Sequence, residues 1–321
     1  MRADSATSGI APSQDHGTER HRRARGRALV FAATVFWGTT ATLARFVFRD
    51  RHVPAIAVVE LRLVIAATIL GLWLAWRKPE ALRLRRKDVA YFLILGLFGV
   101  AAVQGSYYYS ISVLGVGLAI LLQYLAPSLI VIYDAARGAK VTFVTVAALV
   151  GALSGTALLV GNVDPTRLHA SPMSWAIGFG SAVFFAFYVV FSKRGLERYA
   201  PETVLFYTFL IAGAFWAVVT PPARIVAAHY DAKLWVMFLI LGVGSTLVPF
   251  SLFYAGLRRL PAAEAGIVAT LEPLVAVIAA AVFLGEWLRP LQWLGAALVL
   301  GAAVLATSQQ PAAATASPER G

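Results

Sequence analysis

Ten long apolar segments fill most of the chain between residues 29 and 307. Each has about the 20 residues that an α-helix needs to cross the hydrocarbon core of a bilayer. The segments cover residues 29–48, 54–76, 89–111, 115–133, 142–161, 174–192, 202–220, 234–257, 262–284 and 290–307. The sequence therefore predicts an all-α integral membrane protein with ten transmembrane helices, in which short connections make most neighbouring helices antiparallel.

The composition supports a membrane protein and argues against a nucleic-acid-binding one. Of the 321 residues, 59% are hydrophobic and only 14% are charged, whereas about a quarter are charged in soluble domains. The formal net charge of +12 falls in short clusters between the apolar segments, and no basic domain stands out. These clusters are typical of loop charges that orient a membrane protein, so we expect the lipid bilayer, and no nucleic acid, as a partner.

Lys and Arg residues are unevenly divided between the two sides that the ten segments define. Loops rich in Lys and Arg stay in the cytoplasm. The richer side holds the end of the N-terminal segment, the 77–88 loop and the basic residues near 137–140, 193–198 and 258–259. This bias predicts a multi-pass protein of the cytoplasmic membrane with both termini in the cytoplasm. The polar stretches 1–27 and 308–321 are predicted to be disordered tails.

The second half of the chain repeats the first. Residues 89–159 align without a gap on residues 235–305, at an offset of 146 positions. The five-residue run 92–96 (FLILG) falls on the same run at 238–242, Tyr108 falls on Tyr254, and Pro127 falls on Pro273. We therefore predict two repeats, 28–161 and 174–307, of five spans each.

An odd number of spans gives the two repeats opposite orientations in the membrane. Inverted repeats of this kind are typical of secondary transporters, which place the substrate site near the bilayer midplane where helices are interrupted. Pro127 and Pro273 are predicted to interrupt spans 4 and 9, because proline removes a backbone donor and clashes with the preceding turn. Such free backbone groups are tolerated at membrane depth only where they face protein or a wet cavity.

Several motifs resemble a known family. The stretches FWGTTATLARF (36–46), ELRLVIAATIL (60–70) and above all LEPLVAVIAAAVFLGEWLRPLQWLGAALVLGAAVL (271–305) are similar to the EamA-type transporters of the drug/metabolite transporter (DMT) superfamily. The resemblance extends over about 28–307. It implies a ten-helix metabolite carrier, often an exporter of amino acids or related compounds. The first repeat departs from the pattern, since Ala126 stands at the position that corresponds to Glu272.

Glu272 is the most informative polar residue in the apolar segments. It lies about halfway along span 9, where a charged group costs at least about 2.5 kcal/mol, so it must face the interior, be paired or be protonated. As a cavity carboxylate it would bind a substrate amine or carry a coupling proton; alternatively, it satisfies backbone groups near Pro273. Gln123 lies on a similar face of span 4, where it either binds substrate with Glu272 or forms an interhelical hydrogen bond.

Four further residues are predicted to line the same central cavity. They are Tyr108, its repeat counterpart Tyr254, Trp37 and Arg62. Arg62 is too deep in span 2 to reach the interface easily, so it would meet a substrate carboxylate or another acid. The alternative for Trp37 is ordinary packing, and the alternative for Arg62 is a structural role. Glu60 and Arg45, near the same end of spans 2 and 1, are predicted to form a structural ion pair.

The function predicted from these features is secondary transport by alternating access. The substrate would be a small metabolite such as an amino acid or a related amphiphilic compound, moved outward, with protons as a possible coupling ion. The alternatives are a passive channel or uniporter and a membrane-embedded lipid-modifying enzyme. No P-loop, GxSxG or HExxH motif is present, the chain has no cysteine, and every histidine lies in a tail or loop. We therefore predict no enzyme activity, no catalytic residue, no metal and no cofactor.

One motif leaves the oligomeric state open. Gly151 and Gly155 have the spacing of a close helix–helix contact. That contact is either intramolecular packing or the face of a homodimer.

Overall fold

Helices account for nearly all residues that the structure, a computed structural model, describes, namely 13–49, 51, 53–161, 169–284 and 289–308. The α-helices in this part of the chain are α1 (Ser13–Arg49), α2 (Ala55–Arg77), α3 (Val89–Ile94), α4 (Ala102–Leu114), α5 (Val116–Gln123), α6 (Ala126–Ala136), α7 (Phe143–Val160), α8 (Pro172–Leu196), α9 (Pro201–Val219), α10 (Pro222–Ala227), α11 (Ala232–Ile240), α12 (Val248–Leu257), α13 (Ala262–Ala269), α14 (Glu272–Leu284) and α15 (Pro290–Ser308). Short 3-10 turns cover Pro79–Leu82 and Arg86–Asp88, and π-helical segments cover Leu95–Ala101 and Leu241–Leu247.

Eight helical stretches in the described residues are long and apolar enough to cross a membrane. They are Ala55–Arg77, Arg86–Leu114, Gly117–Ala136, Phe143–Val160, Pro172–Leu196, Pro201–Val219, Ala232–Leu257 and Ala262–Ala279. They match predicted spans 2 to 9. The tenth predicted span corresponds to the apolar stretch Pro290–Ala306, which is slightly shorter, and the first lies within α1. The protein is thus an all-helical multi-pass membrane protein, and the total of ten spans stays a prediction.

The N-terminal end of α1 differs from the sequence expectation. Residues 13–27 were expected in a disordered tail, whereas α1 begins at Ser13 and continues without a break to Arg49. Arg23 and Arg27 on this extension form ion pairs with the buried carboxylate of Glu264 on α13. The polar composition alone suggested disorder, but a partner on a distant helix supplies the interactions that order this stretch. Residues 1–12 and 309–321 lie outside the described part of the chain.

Local irregularities of the backbone occur at matching places in the two halves. The π-helical segments Leu95–Ala101 and Leu241–Leu247 are separated by 146 positions, the same offset that aligns the sequences. Helices α5 and α13 are also 146 positions apart at both ends. The sequence repeat is therefore accompanied by a repeat of local backbone structure.

Each half also contains a helix that stops and restarts next to its proline. Tyr124 and Leu125 form a turn between α5 and α6, and Thr270 and Leu271 form the corresponding turn between α13 and α14. The proline then occupies the second position of the new helix. Proline is tolerated in the first helical turn, where its missing N–H has no intrahelical acceptor. The interruption thus precedes each proline by two to three residues.

Small residues bring α7 and α15 into close backbone contact. A Cβ atom added at Gly155 would lie 2.7 Å from the carbonyl oxygen of Gly295 and 2.8 Å from the backbone nitrogen of Val299. Gly151 also faces α15, but with ordinary spacing. The contact predicted for these two glycines is therefore made within the chain, and the homodimer stays a prediction.

Candidate functional site

Glu272 lies at the interruption in the second half of the chain, as the first residue of α14. Its side chain is partly buried, and its Oε2 atom accepts a hydrogen bond of 2.9 Å from the hydroxyl of Tyr124. Tyr124 belongs to the turn between α5 and α6, and its hydroxyl also lies 3.4 Å from the backbone oxygen of Ala269. One hydrogen bond therefore joins the two interrupted helices at the points where they break.

Arg62 is buried in the interior of the bundle and donates two hydrogen bonds. Its Nε atom donates to Thr246 Oγ1 at 2.9 Å, and its Nη1 atom donates to the hydroxyl of Tyr108. Thr246 lies in the π-helical segment, and its hydroxyl bonds the carbonyl of Leu241, five residues earlier. The guanidinium is thus oriented by side chains from both halves of the chain.

The two charged side chains belong to one electrostatic group. Arg62 interacts electrostatically with Glu272, and the buried hydroxyl of Tyr107 interacts with both. We refer to the residues in this arrangement as the central polar group; they are Arg62, Tyr107, Tyr108, Tyr124, Thr246 and Glu272. A cation, a carboxylate and three phenols in one apolar interior can complement a small molecule that carries both an ammonium and a carboxylate group.

Two of the predicted cavity residues lie elsewhere in the bundle. The hydroxyl of Tyr254 lies 3.1 Å from Ser192 Oγ, in a fully buried cluster that includes the ring of Tyr188. Trp37 packs its ring against Phe250 at 5.2 Å and Phe253 at 5.7 Å. The structure therefore places Arg62 within electrostatic range of Glu272 and bonds Tyr108 to Arg62, whereas Tyr254 and Trp37 pack in the aromatic core around α12.

Gln123, the last residue of α5, is next to the central polar group but does not pair with Glu272. Its side chain makes no hydrogen bond to a residue that the structure describes, and the neighbouring Tyr124 occupies that role instead. Tyr124 sits at the interruption itself, and this position is the signal that could have identified it. Thr246 and its neighbour Ser245 could have been noticed as hydroxyl residues within a mostly apolar span.

The two prolines frame the same region. Pro127 is buried and packs against Gly266 of α13, where an added Cβ would meet its Cγ atom at 3.4 Å. Pro273 is buried next to Glu272. Gly38 of α1 crosses α14 so closely that a Cβ there would lie 2.8 Å from the backbone nitrogen of Ala276. Both contacts thus join a broken helix to a helix of the other half of the chain.

Two other expectations concern residues away from this group. Glu60 is buried, but the side chain of Arg45, its predicted partner, lies outside the described residues. Within the described chain no three His, Cys, Asp or Glu side chains are close enough together to hold a metal ion. Two concave surfaces occur away from Glu272; one is basic and lies near Arg22, and the other is apolar and lies between α6 and α7.

The chain is similar to proteins that are named as transporters. It is 27% identical over 286 residues to an uncharacterized inner membrane transporter, YicL, of Salmonella typhimurium, covering 88% of this chain and 94% of that protein. It is 27% identical over 279 residues to the threonine/homoserine exporter RhtA of Escherichia coli, covering 87% and 89% of the two chains.

A solved structure and a family model extend the comparison. A crystal structure with 21% sequence identity matches 89% of this chain and 98% of its own with a TM-score of 0.72, which shows a shared fold. The model of the EamA-like transporter family matches residues 24–161 and again residues 173–308. These two matches account for most of the protein, so the chain belongs to the EamA-like transporter family.

Proposed function

We propose that this protein is a secondary transporter that exports a small zwitterionic metabolite, an amino acid or a close relative, by alternating access. The observation that carries the proposal is the hydrogen bond between Tyr124 and Glu272. It connects two helix interruptions that occupy equivalent places in the two halves. Interrupted helices at a repeat interface are where secondary transporters bind their substrates.

The chemistry of the central polar group supports a substrate with two opposite charges. Arg62 offers a planar guanidinium that matches a carboxylate, and Glu272 offers a carboxylate for an ammonium group. The apolar surroundings strengthen both interactions because the local dielectric is low. The name of the similar exporter RhtA refers to threonine and homoserine, which are amino acids of this type. These two compounds are therefore the first substrates to test.

The same group supports the proposed coupling to protons. A carboxylate at membrane depth can release and take up a proton as the cavity opens to each side, so Glu272 would couple export to proton entry. Gln123 would contact the substrate beside Tyr124. Tyr254 and Trp37 would support the fold rather than bind substrate, since they pack among aromatic rings.

The overall arrangement in the membrane is part of the proposal. Residues 28–161 and 174–307 form two repeats of five spans with opposite orientations, and both termini lie in the cytoplasm. The matching offset of the π-helical segments supports this arrangement. A reporter fused after Ser308 is expected to behave as cytoplasmic; a periplasmic signal there would contradict the ten-span topology.

Counterflow in proteoliposomes tests the function. Vesicles that hold the purified protein are loaded with unlabelled threonine, homoserine or another amino acid from a panel, and labelled substrate is added outside. A carrier accumulates label above its outside concentration for a limited time, because substrate moving outward drives exchange.

The same experiment separates a carrier from a channel and from a protein without transport activity. A passive channel equilibrates the label without overshoot, and a protein with no transport function gives the same trace as empty vesicles. Either result with every compound of the panel would contradict the proposed carrier.

A further inference from the structure

Cationic side chains from three parts of the chain meet around one concave surface. The surface lies where the N-terminal extension of α1, the end of α8 and the loop before α13 come together. Its volume is about 280 Å³. Its charged lining residues, which define what we call the basic cavity, are Glu19, Arg22, Arg23, Lys193, Arg258 and Arg259.

The walls of the basic cavity are fixed by interactions within the protein. Arg23 and Arg27 form ion pairs with Glu264, which attaches the extension of α1 to α13. Lys193 at the end of α8 donates a hydrogen bond to the backbone oxygen of Leu260. The three segments are therefore held in place, and the cavity is a built feature rather than a chance meeting of mobile loop charges.

The positive charge of the cavity is only partly neutralised. Arg22 pairs with Glu19 at 2.7 Å and Arg23 pairs with Glu264. Lys193, Arg258 and Arg259 form no salt bridge with a described residue, although Glu197, Asp134 and Glu264 attract Lys193 at longer range. Arg23 Nε is buried without a hydrogen-bond partner among the described residues. Burial lowers the pKa of Arg259, and the like charges of Arg25, Arg258 and Arg22 lower it further. The cavity thus favours an added negative charge.

The basic cavity has no counterpart in the first half of the chain. At the 146-residue offset, Arg258 and Arg259 correspond to Ser112 and Val113, which carry no charge. The internal repeat therefore does not explain the cluster. The positive-inside bias explains basic residues on this side, but it does not require them to converge from three segments on one concave surface.

We propose that the basic cavity binds a phosphate-bearing anion. A phosphate group offers several acceptor oxygens, and arginine donors bind it with paired hydrogen bonds. The volume suffices for such a group with some water, since one water molecule occupies about 30 Å³ in the liquid. The cavity lies on the side predicted to be cytoplasmic. The phosphate can belong to the headgroup of an anionic lipid, which basic sites at the membrane surface attract, or to a free anion.

A charge-matched pair of variants tests the proposal. The cavity variant is Arg258→Gln/Arg259→Gln. The control variant, Arg83→Gln/Lys87→Gln, removes the same charge from an exposed part of the 77–88 loop on the same predicted side of the membrane. The single substitution Arg258→Gln accompanies them, because this side chain is exposed and its loss is not expected to disturb folding.

Two measurements distinguish the sources of the phosphate. Native mass spectrometry of the detergent-solubilised full chain compares the retention of phosphatidylglycerol with that of phosphatidylcholine. Thermal unfolding with added inorganic phosphate, against chloride at equal ionic strength, detects a free anion.

We expect wild type and the control variant to bind at least one of the two ligands with the same affinity. The cavity variant should bind that ligand about tenfold more weakly, and Arg258→Gln should have an intermediate affinity. Selective loss of phosphatidylglycerol assigns the site to a lipid headgroup, and selective loss of the phosphate-dependent rise in Tm assigns it to a free anion. Equal effects of the cavity and control variants, or no preference of the wild type for either phosphate ligand, would overturn the proposal.

Discussion

At the scale of single residues, the central polar group depends on how a few charges are satisfied inside an apolar bundle. Arg62 is oriented by Thr246 and Tyr108, and Glu272 accepts from Tyr124. A buried charge whose partner is removed costs more than the hydrogen bond itself contributes, because its desolvation is then uncompensated. Substitutions in this group are therefore expected to have effects well beyond those of surface changes.

Glu272→Gln is the most informative substitution in the group. The amide keeps the shape and one acceptor oxygen but cannot bind a proton or carry a charge. A charge-assisted hydrogen bond is worth about 1.5–3 kcal/mol, so we expect the proposed amino-acid transport in proteoliposomes to fall by about tenfold or more and to lose its pH dependence.

Tyr124→Phe is the matched control for Glu272→Gln. It removes the hydrogen bond but leaves the carboxylate, so the pH dependence should survive at a reduced rate. Wild-type transport with an unchanged pH profile in Glu272→Gln would leave Glu272 with a structural role beside Pro273.

Asp231 provides a pH-dependent prediction outside the membrane-spanning helices. Its carboxylate accepts from the backbone N–H of Leu234 at 2.8 Å at the start of α11 and pairs with Arg51. The Leu234 hydrogen bond, and then Arg51, hold the pKa of Asp231 below its usual 3.8. Because the folded pKa is the lower one, the charged form stabilises the fold above the usual pKa, and this stability is lost as pH falls through the folded value.

The substitution Asp231→Asn should therefore lower Tm at neutral pH, and the difference from wild type should shrink below about pH 4. Asparagine also caps helices well, so the comparison reports the charge. Asp231→Ala, which loses the cap, should remain less stable at every pH. A difference in Tm between wild type and Asp231→Asn that stays constant with pH would show that the charge of Asp231 contributes nothing to stability.

The sequence could predict interior charges but not their partners. Glu272 and Arg62 stand out because a charge within an apolar span is costly. Tyr124 did not stand out, since a single tyrosine in a span is common at interfaces, and only the turn before Pro127 aims its hydroxyl at Glu272. Tyr254 was expected beside Tyr108 from the repeat alignment, yet its hydroxyl meets Ser192, whereas the hydroxyl of Tyr108 accepts from Arg62.

At the scale of helices, close contacts between α7 and α15 are built on glycine. Gly155 meets backbone atoms of Gly295 and Val299, and a backbone cannot rotate away as a side chain can. Gly155→Ala should therefore separate the two helices and cost about 1–3 kcal/mol of stability, as overpacking usually does.

Gly151→Ala is the matched control for this contact. An added Cβ at Gly151 would lie 3.5 Å from Ala302 Cβ and 3.6 Å from Leu298 O, which are ordinary contacts. Thermal unfolding in detergent should thus separate the two alanine variants clearly. Equal values of Tm for them would contradict this account of the packing.

The sequence predicts helix positions better than helix irregularities. Hydrophobic length alone located spans 2 to 9, and proline pointed to the neighbourhood of each interruption. The π-helical segments were not predicted, because extra backbone width in a continuous apolar helix leaves no clear pattern in residue type. The helical extension of α1 was also missed, since its order depends on Glu264, a residue more than 230 positions away.

At the scale of the whole molecule, the proposed alternating access requires the central polar group to open to each side of the membrane in turn. Tyr124, Tyr108 and Arg62 are buried in the structure, so substrate can reach them only after helices of the two halves move apart. The basic cavity lies outside this path, at the predicted cytoplasmic end of α1.

Cysteine accessibility at the interruption tests this claim most directly. The chain contains no cysteine, so Gln123→Cys gives a single reactive thiol beside Tyr124, and Val150→Cys, on the exposed apolar face of α7, is the lipid-facing control. A membrane-impermeant thiol reagent is applied from either side, with substrate present on one side only. Alternating access predicts that Gln123→Cys is labelled from both sides and that substrate raises labelling from one side while lowering it from the other. Val150→Cys should be labelled from neither side. Labelling of Gln123→Cys that changes in parallel on the two sides, or that is confined to one side under all conditions, would contradict alternating access.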